Sequence, residues 1–250
     1  MNRLLFRLQY YVLQVLRYVF CFAAGGTECV VCGEACLVLP VCADCRKKYF
    51  TAGPAGSGVC RICGKILISE NELCMSCRKA VLLKHLDGVY PVSSYRLWNK
   101  GILCRWKLDG ERIFSGFLAE VINARLCQVE ELKGSFVVVP VPPRPGKIRK
   151  EGWDQIEELA CFLEAFYHRD VRRILVRHTD VEQKTLCRSQ RMDVIGKAYS
   201  LNAAVRDVPE TVCLIDDVLT TGSTIEACAE VLKNAGCRNV FAVTLFSVDG

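Results

Sequence analysis

The sequence has few histidines, no low-complexity segment and no clean apolar run of membrane-spanning length. Its histidines are His85, His168 and His178, and none forms a nucleophile and base set with a cysteine. We therefore expect them to be incidental rather than catalytic. The glycine spacings of P-loops and of dinucleotide fingerprints do not fit the glycine-containing loop at residues 220–224, which argues against both of those nucleotide sites.

Composition leaves room for one sizeable domain and a small one, since the chain has 250 residues of which 51% are hydrophobic. The net charge of +6 suits anionic ligands such as phosphates or nucleic acid, but it requires none of them. The 17 cysteines occur without an obvious export signal. We therefore expect a cytoplasmic protein whose reduced cysteines are metal ligands or small buried side chains.

The sequence pattern of residues 1–26 predicts an apolar helix. Apolar side chains recur at helical spacing between Leu4 and Phe20, and Arg17 interrupts them. This interruption argues against a signal peptide and against a membrane span, which needs roughly 20 apolar residues. We expect the helix to pack against protein. Contact with a membrane surface is the alternative, because arginines beside an aromatic face suit the headgroup boundary.

Residues 27–84 contain a cysteine-rich repeat. Residues 29–34 resemble residues 60–65, and residues 42–47 resemble residues 74–79. A two-residue gap lets both thiolates of a Cys-x-x-Cys pair bind one tetrahedral ion. We interpret the repeat as a double zinc-binding module with two structural Zn²⁺ sites. The expected ligands are Cys29, Cys32, Cys42, Cys45, Cys60, Cys63, Cys74 and Cys77.

Other interpretations of these cysteines stay open. They are a single zinc site with the other pairs free of metal, disulfides, which a reducing cytoplasm disfavours, and redox chemistry, which lacks its strand and helix context. Pairing within each repeat is simplest, and cross-braced pairing is the alternative. The segment is also basic, which suits contacts to a phosphate backbone as well as a plain solvated surface.

Residues 85–250 alternate strand and helix patterns. This order predicts a doubly wound parallel α/β sheet, interrupted by a polar insertion at residues 178–199. The expected strands are Val89 to Leu97, Phe136 to Val141, Val171 to Val176, Val212 to Ile215 and Val240 to Phe246. The expected helices are Ile113 to Leu126, Asp154 to Phe166, and one from Ser223 or Thr224 to Ala235.

Residues 212–224 carry the densest group of candidate functional side chains. An apolar run leads into Asp216 and Asp217, where the strand is expected to end. Ligands bind beyond such strand ends, so these carboxylates can accept hydrogen bonds from vicinal hydroxyls or hold a hydrated Mg²⁺ ion. The following loop offers hydroxyls and N–H groups for a phosphate at a helix start, and its glycine permits close approach. This loop consists of Thr220, Thr221, Gly222, Ser223 and Thr224. A capped turn without a ligand is the plain alternative.

A basic, proline-rich loop follows the strand that ends at Val141. It spans residues 142–150 and includes Arg144 and Lys147. A loop of this kind at the carboxyl end of a strand is well placed to contact a pyrophosphate. Surface loops are often basic, however, so the loop alone is weak support.

The motif at residues 212–224 closely resembles the phosphoribosyl diphosphate (PRPP) site of type I phosphoribosyltransferases. The whole chain resembles the ComF family, which is associated with natural competence and DNA uptake. The resemblance rests on the apolar N-terminal helix, the cysteine pairs, Val-Pro-Val-Pro at 139–142, Gly-Trp-Asp-Gln at 152–155, Gln-Lys-Thr-Leu at 183–186, Arg191 and the PRPP motif. It implies a phosphoribosyltransferase-like sheet with a hood, and PRPP or a related phosphorylated ribose bound with Mg²⁺.

The resemblance also implies roles for residues of this chain. Asp216 and Asp217 would meet the ribose hydroxyls and the developing positive charge, and residues 220–224 would bind the terminal phosphate. Arg144 and Lys147 would bind diphosphate, while Gln183, Lys184 and Arg191 would close the hood. Glu151 and Asp154 stand where the family typically has arginine and asparagine, so positive charge is reduced beside the expected diphosphate.

Two functions follow as hypotheses. The first is a PRPP-dependent glycosyltransferase with an acceptor that the sequence does not identify. The second is a non-enzymatic protein that retains the PRPP-binding fold and handles single-stranded DNA with the DNA-uptake machinery. No base-recognition motif is evident, so ligand binding is better supported than turnover. A purely structural zinc adaptor would leave residues 212–224 unexplained.

Overall fold

A computed structural model describes residues 3–37, 39–50, 58–67, 71–79, 83–95, 98–178 and 198–248. The helices in these ranges are α1 (Arg3–Ala23), α2 (Ala43–Tyr49), α3 (Met75–Lys79), α4 (Trp98–Lys107), α5 (Phe114–Gln128), α6 (Lys147–Glu151), α7 (Gln155–Phe166) and α8 (Ser223–Asn234), with a 3₁₀ turn at Glu130–Leu132. The strands are β1 (Thr27–Glu28), β2 (Ala35–Cys36), β3 (Gly88–Ser94), β4 (Val137–Pro140), β5 (Leu175–Arg177), β6 (Tyr199–Leu201), β7 (Thr211–Leu219) and β8 (Asn239–Ser247).

Four strands form the central sheet, in the order β3-β8-β7-β4, and every pair is parallel. Val212 of β7 lies beside Val137 on one side and Val240 on the other. Parallel strands need crossover connections, which here run through α5, α7 and α8. The predicted α/β class with a doubly wound parallel sheet is confirmed.

Both faces of the sheet are buried, as its apolar strands require. Val138, Ile215 and Val243 face one cluster, which also contains side chains of α5 and α7. The neighbouring residues along each strand, Val139, Leu214 and Ala242, face a second cluster, which includes side chains of α8. The helices therefore cover opposite faces of the sheet.

The strand predicted at Val171 to Val176 is wrong as a single element. Val171 forms only an isolated parallel bridge with Val138. β5 begins at Leu175, leaves the central sheet and pairs antiparallel with β6. These two strands flank the polar insertion, and pairing between the two ends of an insertion favours an antiparallel ladder. Residues 179–197, on which the predicted hood depends, lie outside the described residues.

Helix α1 packs along α7, which agrees with the expected contact with protein. Tyr10 lies edge-on to Phe162 with ring centroids 5.7 Å apart, and Arg17 Nη1 lies 3.0 Å from Glu158 Oε1. The rest of its surface exposes apolar side chains, including Leu8, Val12, Val15, Leu16, Val19, Phe20 and Phe22. Among the described residues, no helix combines the length and apolarity that crossing a membrane requires.

The cysteine repeats form two units with different neighbours. The first cysteine module, residues 27–50, packs on α5, where Phe50 meets Phe117 with ring centroids 4.9 Å apart. The second cysteine module, residues 58–79, packs at the edge of the sheet. There Gly64 lies so close to β3 that a Cβ atom on it would be 2.1 Å from the carbonyl oxygen of Val89.

Candidate functional site

The candidate site is a cleft at the point in the sheet where the connections from two neighbouring strands run to opposite faces. β4 and β7 are neighbours, and the helices that follow them, α7 and α8, cover opposite faces. Such a switch point leaves a crevice beyond the carboxyl ends of the strands. The cleft has a volume of about 310 Å³. Its charged and polar lining residues are Lys107, Arg144, Lys147, Asp154, Gln155, Arg177, Asp216, Asp217, Thr220 and Thr224.

Asp216 and Asp217 lie within a strand, and the prediction that the strand ends before them is wrong. β7 continues to Leu219 because β8 runs beside it that far. β4 ends earlier, with its last paired residue Pro140 opposite Ile215. The acidic pair therefore projects just past β4, and consecutive strand residues point to opposite faces. One carboxylate faces α7 and the other faces α8.

Each carboxylate has a different set of partners. Asp217 is buried, and its Oδ2 accepts hydrogen bonds from Lys107 Nζ and, at 3.1 Å, from Gln155 Nε2. Asp216 is partly exposed, and its Oδ1 accepts the backbone N–H of Asp217 at 2.9 Å. Asp217 is thus held by side chains from two other elements, while Asp216 keeps oxygen lone pairs for a ligand.

The pKa values of Asp216 and Lys107 are both raised. Burial raises the pKa of Asp216 to about 7, the charge of Asp217 adds to this effect, and Lys107 opposes it. Burial alone would lower the pKa of Lys107, but the carboxylate of Asp217 outweighs burial and raises that pKa. Lys107 therefore stays cationic beside Asp217, and Asp216 changes charge close to neutral pH.

Residues 220–224, which we call the hydroxyl loop, comprise the turn between β7 and α8 and the first two residues of α8. Thr221 Oγ1 and Ser223 Oγ are 2.9 Å apart, and Thr220 and Thr224 line the cleft. Gly222 has φ of +78°, which favours glycine, and it immediately precedes α8. A Cβ atom on Gly222 would lie 2.6 Å from Leu83 Cδ2. The loop thus brings hydroxyls and the N-terminal N–H groups of α8 to the cleft.

The basic loop after β4 lies across the cleft and includes the short helix α6. Lys147 Nζ lies 2.7 Å from Asp154 Oδ2 and also donates to Gln155 Oε1. Asp154 is the N-cap of α7, where its Oδ1 accepts the N–H groups of Ile156 and Glu157, each at 3.0 Å. A continuous chain of hydrogen bonds therefore links the basic loop to Asp217.

Most of the predicted ligand-binding residues come together in this cleft. Asp216, Asp217, Thr220, Thr224, Arg144 and Lys147 all line it. Thr221, Gly222 and Ser223 form the connecting part of the hydroxyl loop. Arg191, Gln183 and Lys184 lie outside the described residues. The roles assigned to all of these residues stay predictions.

Three lining residues carry no role in the sequence interpretation. Lys107 comes from the end of α4, Gln155 from the start of α7 and Arg177 from the end of β5. The Nε of Arg177 is buried without a hydrogen-bond partner among the described residues, and its guanidinium lies 5.7 Å from the ring centroid of Tyr199. Gln155 belongs to the Gly-Trp-Asp-Gln motif at 152–155. No local pattern marks Lys107, which is 110 positions from its partner Asp217.

A short strap, residues 83–86, connects the second cysteine module to the cleft. The carboxylate of Glu226, one turn into α8, accepts the N–H groups of Lys84 at 2.8 Å and His85 at 3.0 Å. His85 Nδ1 also lies 2.8 Å from it. The side chain of Leu83 packs against Gly222. His85, expected to be incidental, therefore helps hold the strap on the helix that begins at the hydroxyl loop.

The eight repeat cysteines form two groups of four, one within each repeat. In each group the Sγ atoms all lie within 4.8 Å of one another. Cys32 and Cys42 have their Sγ atoms 3.7 Å apart, as do Cys63 and Cys74. Zinc–sulfur bonds of about 2.3 Å in a tetrahedron imply sulfur separations of about 3.8 Å, whereas a disulfide needs about 2.05 Å. Both groups could therefore hold zinc, and pairing within each repeat is the arrangement observed.

The chain is similar to two curated competence proteins. It is 26% identical over 216 residues to "Competence protein ComFC" of Streptococcus pneumoniae, a match that covers 85% of this chain and 88% of the relative. It is 24% identical over 209 residues to "Competence protein F" of Haemophilus influenzae, covering 80% of this chain and 87% of the relative. No family profile matches the chain.

Two solved structures are similar at lower sequence identity. A hypoxanthine phosphoribosyltransferase from Staphylococcus aureus has 16% identity and a TM-score of 0.32, with 53% of this chain and 62% of that chain covered. An allosteric regulatory enzyme of purine biosynthesis has 18% identity and a TM-score of 0.33 over 52% of this chain, and the match spans only a quarter of that enzyme (25%). The parallel sheet and the switch-point cleft agree with the phosphoribosyltransferase-like fold expected from the sequence.

Proposed function

From the similarity to two competence proteins we infer that the chain is a member of the ComF family, and we propose that its cleft binds PRPP together with Mg²⁺. The observation that carries this proposal is the convergence of three chemically distinct groups in one cleft. These are a carboxylate pair, a hydroxyl loop at a helix N-terminus and a basic loop. They match the ribose hydroxyls, the terminal phosphate and the diphosphate of PRPP. A plain surface crevice would need none of these groups in this order.

The carboxylates suit a ribose better than a phosphate. Carboxylate oxygens accept hydrogen bonds from vicinal hydroxyls, and they would repel a phosphate brought close to them. Asp217 is fixed by Lys107 and Gln155, so its orientation is set before a ligand binds. Asp216 retains an oxygen for a hydroxyl or for a hydrated cation.

The residues present fit a magnesium ion, because Mg²⁺ binds through one or two carboxylates together with substrate phosphates. Asp216 is the residue that would hold it. When bound, the ion would neutralise charge on the diphosphate. The other phosphate contacts would come from the protein itself, with Arg144 at the diphosphate and residues 220–224 at the terminal phosphate.

If a nitrogen acceptor enters the cleft, the same arrangement supports transfer of the phosphoribosyl group. The bond from the anomeric carbon to diphosphate would break, a bond from that carbon to the acceptor nitrogen would form, and the proton of that nitrogen would be released to solvent. Asp216 and Asp217 would stabilise the positive charge that develops on the sugar, and the cationic side chains would stabilise the departing diphosphate. The acceptor stays unidentified, so binding is the primary proposal and transfer the secondary one.

The test is calorimetric titration of PRPP with Mg²⁺ into zinc-loaded protein. We expect saturable binding by the wild type and a loss of about a hundredfold or more in the variant Asp216→Asn/Asp217→Asn, because both hydroxyl acceptors lose their charge. Asp170→Asn/Asp207→Asn, a pair of exposed substitutions with the same total charge change, is the control and should bind as the wild type does. No binding by a folded wild type would refute the proposal.

Handling of single-stranded DNA is the second candidate function. Its support is the competence designation of both relatives and the exposed cations on the short helices of the cysteine modules, among them Lys48 and Lys79. Phosphate-backbone binding of this kind weakens steeply with salt. Fluorescence anisotropy with a labelled oligonucleotide should show salt-sensitive binding that Lys48→Ala/Lys79→Ala reduces. Binding that neither salt nor these substitutions alter would exclude this surface.

A further inference from the structure

We propose that Asp154 is a specificity-determining residue of the cleft, which holds Lys147 in an internal ion pair and so disfavours diphosphate that arrives without a divalent cation. The inference rests on the proposed function, since it names the form in which the phosphate-rich end of the ligand is accepted. It concerns the balance between two side chains that already touch each other in the structure.

The ion pair is largely shielded from water. Lys147 Nζ and Asp154 Oδ2 are 2.7 Å apart, and their side chains are only 14% and 4% exposed. Shielding strengthens the attraction between the two charges and makes an unpaired partner costly. Lys147 also donates to Gln155 Oε1, so two of its three N–H donors are already engaged.

Asp154 is held in place by a second task. Its Oδ1 caps α7, while its Oδ2 faces Lys147. The carboxylate therefore cannot turn away from Lys147 without giving up the helix cap. The protein itself, rather than a ligand, fixes where the charge of Lys147 is neutralised.

The charges that line the cleft nearly cancel. The carboxylates belong to Asp154, Asp216 and Asp217, and the cations belong to Lys107, Arg144, Lys147 and Arg177. Asp217 already neutralises Lys107, and Asp154 neutralises Lys147. A diphosphate that approaches Lys147 also approaches Asp154, and repulsion between like charges offsets the attraction. A divalent cation bound to the diphosphate would be attracted to the carboxylate of Asp154. The charge of Asp154 would then favour binding instead of opposing it.

The variant Asp154→Asn breaks the ion pair with Lys147 but keeps the helix cap. Asparagine caps helices as well as aspartate does, because its side-chain oxygen still accepts the N–H groups of α7. The anion beside Lys147 is lost, and the amide nitrogen in the place of Oδ2 cannot accept a hydrogen bond from Lys147. Asp170→Asn removes an equal charge from an exposed aspartate whose partner is Arg172, at 3.0 Å, and serves as the matched control.

The experiment is calorimetric titration of inorganic diphosphate, first in magnesium-free buffer and then with Mg²⁺, into zinc-loaded proteins. Without magnesium, we expect Asp154→Asn to bind at least about tenfold more tightly than the wild type, because a like charge has been removed. With magnesium, the difference should shrink to about threefold or less. Adding Lys147→Met to Asp154→Asn should abolish the gain, and Asp170→Asn should behave as the wild type.

Equal magnesium-free affinities for Asp154→Asn and wild type would overturn the inference, as would an equal gain in Asp170→Asn. If the wild type binds PRPP with magnesium but Asp154→Asn shows no gain, only this inference fails. If neither protein binds diphosphate or PRPP under any condition, the proposed function fails as well. Asp154→Ser, a second uncharged N-cap, replaces the asparagine variant should that variant not fold.

Discussion

The two cysteine modules have the same ligand spacing but different positions in the fold. Both place four thiols so that one zinc ion could join them. In the second module all four cysteines are at most 9% exposed, whereas Cys32 of the first module is exposed to solvent. The second module belongs to the same apolar cluster as the face of β7 that carries Leu214. The first belongs to the cluster on the opposite face.

Their connections to the cleft differ as well. The first module meets α5 through Phe50 and through the ion pair of Arg46 with Glu120, away from the cleft lining. The second module leads into the strap, which Glu226 binds and which places Leu83 against Gly222. One copy of the repeated motif therefore packs on α5, whereas the other is connected through the strap to the hydroxyl loop.

Substitution of two cysteines in each module should separate the modules most clearly. We expect Cys60→Ser/Cys63→Ser to lose one zinc, to lower the unfolding temperature by about 10 °C or more, and to weaken PRPP binding more than about tenfold. Cys29→Ser/Cys32→Ser should also lose one zinc, but the folded protein should keep its affinity within about threefold. Metal analysis, thermal unfolding and titration measure these effects. Equal losses of affinity in both variants would remove the distinction.

The sequence predicts the parts of this arrangement that are local. Each repeat contains its own four cysteines, so grouping within repeats is the simplest prediction from the sequence, with cross-braced pairing as the alternative. The hydroxyl loop is likewise contiguous, and a strand, an acidic pair and a helix start determine its place at the end of the sheet.

Contacts between distant segments could not be predicted in this way. Lys107 meets Asp217, and Glu226 meets the strap, across more than a hundred residues in each case. The antiparallel pairing of β5 was missed because its apolar pattern fits either kind of sheet. The sequence of β7 does not indicate that the strand continues to Leu219, because its end depends on how far β8 pairs with it.

Release of the strap should have the next largest effect. Glu226→Gln keeps the shape of the side chain but weakens its hydrogen bonds to Lys84 and His85. We expect PRPP affinity to fall about three- to tenfold with both zinc ions retained. Glu230→Gln, one turn further along α8, is the matched control and should leave titration curves unchanged. If both variants bind alike, the strap does not support the hydroxyl loop.

The contact between Leu83 and Gly222 can be tested by a double-mutant cycle. Gly222→Ala should destabilise the protein by about 1–3 kcal/mol, because alanine is strained at φ of +78° and its Cβ meets Leu83. Leu83→Ala removes the obstructing methyl group. The two changes together should therefore cost about 1 kcal/mol less than their sum, as measured by denaturant unfolding. Strict additivity would show that the contact carries no strain.

The smallest expected effect is a dependence of stability on pH. It comes from Asp216, which lies in the cleft and in neither cysteine module. The pKa of Asp216 is about 7 in the folded protein, above its unfolded value of 3.8. Between these values the unfolded chain binds fewer protons, so this residue makes stability fall as pH rises from about 4 to 7. The slope should stay below the roughly 1.4 kcal/mol per pH unit of one full proton, since Asp216 is partly exposed. Denaturant unfolding of wild type minus Asp216→Asn should show this slope, and parallel curves would contradict it.

Hydrogen exchange with and without PRPP and Mg²⁺ tests most directly whether the cleft and the second module act together. We expect the ligand to slow amide exchange in peptides covering residues 216–226 and 74–86, because the strap joins them. Peptides covering residues 42–50 in the first module should exchange at unchanged rates. Protection at 216–226 alone, or equal protection in both modules, would contradict the account.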